Sequence, residues 1–186
     1  MIPVTSLFIP IAVSALLVFI ASSLIHMVLP YHRSDYGRVP SEDEAMEALR
    51  RFSIAPGAYV MPSPGSAAEM RSPEYVAKRN KGPIAMITVF KPGPPELGRQ
   101  LGLWFVYSLV VGVFAAYVTG LALGPGAPYR SVFRIASTVA FAGYALALPQ
   151  FSIWFGRPWS VTLKSVFDGL IYALLTGGAF GWLWPE

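Results

Sequence analysis

Apolar residues along this chain gather into four long runs: roughly Leu7 to Leu29, Leu101 to Leu123, Val132 to Phe155 and Val161 to Trp184. Each run is long enough, at 1.5 Å per helical residue, to cross about 30 Å of hydrocarbon. The stretch from Tyr31 to Gln100 is different: polar, basic and rich in proline. The alternation predicts an all-α integral membrane protein, a four-helix transmembrane bundle with a proline-rich cytoplasmic arm that carries one capped helix and two short strands. The expected segments are a first transmembrane helix over 1–30, the arm over 31–99 and a second helix over 100–124. An outer turn over 125–131, a third helix over 132–156, and an inner turn with the fourth helix over 157–186 complete the chain. The first run reads as a span and not as a cleaved leader. No Lys or Arg precedes it, and it exceeds the roughly 7–15 apolar residues of a leader's central region.

Within the arm, prolines from Pro30 to Pro95 break helices and remove ladder donors. PSEDEAMEALRRF carries one strong helix signal: Ser41 as N-cap, Glu44 three residues on, an acidic first turn, and Arg50 and Arg51 at the end. A second short helix is expected from Ser72 to Asn80. Ala58–Met61 and Ile84–Phe90 read as short strands. Two strands alone are marginal in water, so the arm is expected to lie against the membrane surface, its own bundle or another subunit.

Composition sharpens the membrane reading. Of 186 residues, 54% are hydrophobic and only 13% charged, an unusual balance for a soluble domain. There is no cysteine, which removes disulfides, thiolate metal sites and thiol catalysis. The net charge of +4 is no nucleic-acid signature, because the basic residues flank the apolar runs, where they act as lipid anchors and topology signals. Lys and Arg crowd the arm and the link carrying Arg157, with Lys164 just beyond it; the opposite side has Arg130 and Arg134. Positive charge favours the cytoplasm, so both termini are expected outside it, in a cell inner membrane. Tyr31, Arg33, Trp154, Arg157 and Trp159 are the expected anchors at the inner interface, and Trp104 falls near the same boundary. Arg157, between two tryptophans, is a candidate for stacking or for lipid phosphate.

Helix packing is also legible. Ser108, Gly112, Ala116 and Gly120 recur at four-residue spacing, and Gly177 and Gly181 form a GxxxG pair. Such ridges let helices approach closely. They serve either the bundle itself or a partner helix. Ala136, Ala140, Gly143 and Ala147 give the third helix a similar face, and Pro149 is expected to kink it.

Candidate chemistry centres on two places. LIHMVLPYHRSDYGRV, Leu24 to Val39, holds both histidines. On a continuous helix His26 and His32, six residues apart, would sit roughly 120° from each other, and Pro30 interrupts. His32 and Asp35 could share a metal with residues elsewhere, but no second cluster of ligands is evident. No metal or cofactor is therefore expected, and the segment reads as the anchored end of the first helix. Asp168 is the second place. It lies about 13 Å of helix rise beyond Trp159, a depth at which a carboxylate must pair or face polar groups. Lys164, one turn earlier, is the expected partner. His26, Ser108, Gln150, Lys164 and Asp168 all fall in the inner half and are expected to meet in part as one polar cluster. No nucleophile elbow, zincin motif, P-loop or dinucleotide fingerprint is present, so no enzyme is expected. The leading expectation is a small multi-pass accessory or scaffold subunit, binding a protein partner or its own copies through small-residue faces and the arm. The alternative is an oligomeric small transporter or channel with Asp168 in a proton or ion path.

Overall fold

The computed structural model describes residues 1–186 as two compact units: Met1–Tyr36 with Glu96–Glu186, and Gly37–Pro95. In chain order the helices are α1 (Phe8–Ser23), α2 (Glu42–Arg50), α3 (Pro73–Lys81), α4 (Leu97–Ala122), α5 (Tyr129–Tyr144), α6 (Pro149–Phe155) and α7 (Trp159–Trp182). The strands are β1 (Gly57–Met61) and β2 (Ala85–Val89).

The first unit is a bundle. Four helical stretches are long and apolar enough to cross a membrane: Val4–Val28, Leu97–Ala122, Tyr129–Phe155 and Trp159–Trp182. Each packs on the next in the chain, and the first also packs on the last, which closes a ring of four. The distribution of side chains fits a membrane protein. Small residues such as Ser14, Ala15, Ser108, Ala115, Ala140 and Thr176 are buried between helices, while Leu16, Ile20, Phe114, Leu163 and Phe167 point outward. Water would favour the reverse arrangement. In lipid the tails solvate large apolar groups, and close backbone packing through small residues holds helices together.

Along α4 the buried positions pair up at 111/112, 115/116 and 119/120, a four-residue ridge that meets the first helix. A side chain on Gly112 would press on Ile11 and Ser14, and one on Gly120 would run into the Ile2 carbonyl. The Ile2 N–H also donates to the Gly120 carbonyl (2.8 Å). On α7, a β-carbon on Gly177 would sit 2.8 Å from Ser137 and 2.9 Å from the Phe133 carbonyl, and one on Gly181 would lie 2.6 Å from the Tyr129 ring. These small-residue faces are thus filled within the chain.

Two local expectations need correction. The third helix is broken, not kinked: α5 ends at Tyr144, a turn covers 145–148, and Pro149 opens α6. A proline ring clashes with the carbonyl four residues back, here that of Ala145, where the α-conformation stops at φ −130°. The break suits α7, because Gly169 lies against Ala145 closely enough that a β-carbon there would sit 2.7 Å from its methyl. Ser152 Oγ donates to Thr162 Oγ1 (2.7 Å) and ties α6 to α7.

In the second unit β1 and β2 pair antiparallel, from Gly57 opposite Val89 to Met61 opposite Ala85. Ser72 caps α3 by accepting the Tyr75 N–H (3.2 Å). Tyr75 is the one buried residue of this unit, and its hydroxyl donates to the Pro62 carbonyl (3.3 Å). Ser41 forms no capping box: it adopts a left-handed conformation (φ 50°, ψ 51°) and its side chain accepts no N–H of α2. That helix relies on Glu42, Asp43 and Glu44 in its first turn, where carboxylates complement the dipole.

Candidate functional site

The site is built by the way the first helix ends. From Leu24 to Val28 the helix widens into a π turn, with the Leu29 N–H bonded to the Leu24 carbonyl five residues back (3.1 Å). Leu29 is extended (φ −74°, ψ 138°), as the residue before a proline prefers. Pro30–His32 then make a 3₁₀ turn, and the Asp35 N–H donates to the His32 carbonyl (3.0 Å). The chain therefore bends back over the end of the bundle. The His32 ring lies on His26, centroids 4.4 Å apart, and Tyr31 lies on His32 at 4.1 Å.

This turn meets Asp168, which is 2% exposed. The Tyr31 hydroxyl donates to Asp168 Oδ1, and His32 Nε2 lies 2.8 Å from Oδ2. On the other side of the imidazole, Nδ1 lies 2.6 Å from Asp35 Oδ2. Lys164 Nζ donates to Asp35 Oδ1 (2.7 Å), the Tyr31 carbonyl (2.6 Å) and Ser34 Oγ (3.2 Å). Burial alone would raise the Asp35 carboxyl, but the hydrogen bonds from His32 and Lys164 outweigh it and hold the group below its usual value. The result is a connected row, Lys164–Asp35–His32–Asp168–Tyr31.

The expected Lys164–Asp168 pair is corrected here. Both residues lie on one face of α7, but the turn after the first helix supplies Lys164 with Asp35, and supplies Asp168 with a phenol and an imidazole. Tyr31, expected as a lipid anchor, points inward instead. The helical spacing that separated His26 from His32 fails because the π turn and Pro30 end the helix between them. One ligand atom from each of His26, His32 and Asp168 lies within 4.8 Å of the others.

Other expected residues fall elsewhere. Ser108 is buried, but its hydroxyl donates to the Trp104 carbonyl of its own helix (3.1 Å). Gln150 is exposed on α6 and joins none of these contacts. Arg157 donates to Ser165 Oγ (3.0 Å); no aromatic ring takes it. Trp154 and Trp159 are exposed, and so is Arg33. Trp104 faces inward. Its indole N–H donates to Ser22 Oγ (2.8 Å), and its ring packs with those of Tyr107, Tyr144 and Tyr172 at 5.7–6.0 Å. Toward the other end of the bundle the core turns apolar: Ile2, Leu7, Ile11, Ala116, Val132 and Phe180.

Sequence reasoning missed the inward roles of Tyr31, His32 and Asp35. The available signal was His32 and Asp35 at a three-residue spacing just after a proline, with a buried carboxylate elsewhere in need of partners. No family model, curated protein or solved structure matches the chain.

Proposed function

We propose that this chain is a small multi-pass protein of a cell inner membrane that moves a cation, with Asp168 as the charged station. The observation that carries this reading is the placement of Asp168: a buried carboxylate in an apolar bundle, without a Lys or Arg partner, held by Tyr31 and His32. Carboxylates at such depth are costly and serve chiefly in substrate and ion pathways. The row from Lys164 and Asp35 reaches it from one end of the bundle, and the apolar layer around Leu7 and Phe180 closes the other. A cation thus enters from the end of the bundle where the first helix finishes and α4 begins, which charge bias assigns to the cytoplasm, and crossing requires a second conformation or subunit contact. The test is cation flux into liposomes holding the purified protein. Wild type should exceed empty liposomes, and Asp168→Asn should lower the rate at least about tenfold while the protein stays folded. A wild-type rate equal to that of empty liposomes, or an undiminished variant, rejects the reading.

The accessory-subunit reading keeps one specific support, the arm. Its α2 leaves Met46 and Leu49 exposed, and Phe52 follows, also exposed. The small-residue faces no longer support it, since they are filled internally. Mild solubilisation followed by mass spectrometry decides this reading: a stoichiometric partner lost on Met46→Glu/Leu49→Glu supports it, and a chain recovered alone or only with its own copies counts against it.

A further inference from the structure

We propose that His26, His32 and Asp168 together bind one divalent transition-metal cation of borderline softness, such as Zn²⁺, Co²⁺ or Fe²⁺. The inference rests on the cation reading above and names the cation's class.

Three observations support it independently. The first is convergence. The three ligand atoms lie within 4.8 Å of one another, and His32 Nε2 is already 2.8 Å from Asp168 Oδ2. Metal–ligand distances of about 2.0–2.1 Å place tetrahedral neighbours roughly 3.4 Å apart. The His32–Asp168 hydrogen bond therefore opens slightly around the ion, and the widest pair closes by about 1.4 Å. His26 can supply that movement: it is exposed, and its ring is held only by a long contact from Nε2 to the Tyr172 hydroxyl (3.5 Å) and by the stacking on His32.

The second is the support behind the ligands. Metal-bound imidazoles almost always donate their other N–H to a carboxylate or carbonyl, which fixes tautomer and ring orientation. Asp35 stands in that position, 2.6 Å from Nδ1 of His32, and leaves Nε2 to face Asp168. Tyr31 occupies Oδ1 of Asp168, which directs Oδ2 toward the site.

The third is charge and access. Lys164 is bonded to Asp35 (2.7 Å), so that pair is neutral together. Asp168 is then the one carboxylate of the group not offset by a Lys or Arg side chain, and a cation beside it restores the balance. His26 also forms part of the wall of a groove of about 400 Å³ lined by Ser23, Met27, Gln100 and Trp104 among others, so this ligand borders open space. The donor set selects the metal. Two imidazoles disfavour Mg²⁺ and Ca²⁺, and the absence of cysteine disfavours thiolate-seeking ions.

The test uses the full-length protein in detergent, stripped with a chelator and dialysed. Co²⁺ titration should produce visible d–d absorption that saturates at one equivalent per chain and is displaced by Zn²⁺. His26→Ala, the exposed ligand and the substitution least able to disturb folding, should weaken Zn²⁺ binding at least about 100-fold. Asp35→Asn, which leaves all three ligands in place, should weaken it about 10–100-fold. Wild-type protein that gives neither absorption nor Zn²⁺ binding overturns the inference, as does binding unchanged in His26→Ala. The two proposals separate cleanly. Asp168-dependent flux of a monovalent cation without Zn²⁺ or Co²⁺ binding removes the metal and keeps transport. Metal binding without flux keeps the site and removes transport.

Discussion

Lys164 shows how one side chain can hold a loop. Its ammonium meets the Tyr31 carbonyl, Ser34 and Asp35, three groups of the turn that delivers Tyr31 and His32 to Asp168. Lys164→Met should therefore destabilise by about 1–3 kcal/mol, since it leaves a buried acceptor unmatched. Amide hydrogen exchange should show residues 30–36 losing protection while the helices keep theirs; unchanged protection there would reject this role. At this scale the sequence was legible in kind and illegible in pairing. That Asp168 needs polar partners follows from its depth. Which partners it takes depends on where a turn 136 residues earlier in the chain bends, and no residue near α7 carries that information.

Among elements, the glycines of α4 and α7 decide how closely helices approach. Gly177 packs against α5 with no room for a methyl, whereas Gly178 beside it has only the Tyr129 hydroxyl near, at 3.9 Å from an added β-carbon. Gly177→Leu should cost about 1–3 kcal/mol or more through overpacking. Gly178→Ala should be neutral or stabilising by up to ~1 kcal/mol, because Ala is the better helix former. Unfolding of the two variants in one detergent compares them directly, and equal effects would contradict the packing described. The four long helices, both strands and α3 were readable because hydrophobic length, β-branched runs and a serine–proline start are local signals. The break at 145–148 was read as a kink because a proline announces disruption without saying how much. Here Gly169 of another helix moves into the gap, a long-range fact. Ser41 misled for a similar reason: its residue type suits an N-cap, but its backbone is left-handed.

For the whole molecule, charge distribution sets the expected topology, and the lack of cysteine makes it easy to probe. Ala67→Cys in the arm and Pro125→Cys in the α4–α5 turn are exposed single sites. In intact cells an impermeant maleimide should label Pro125→Cys and spare Ala67→Cys until the membrane is opened; the opposite pattern would invert the topology and the side from which Asp168 is reached. The π turn at Leu24–Val28 has a further consequence. A π turn amounts to one extra residue accommodated in an α-helix, and the widening absorbs the insertion, so the chain downstream keeps its heading. Excising Met27 should therefore let the backbone regain ordinary pitch with Tyr31 and His32 still turned toward the Asp168 carboxylate, since five residues of the wide turn rotate the chain about as far as four of an ordinary one.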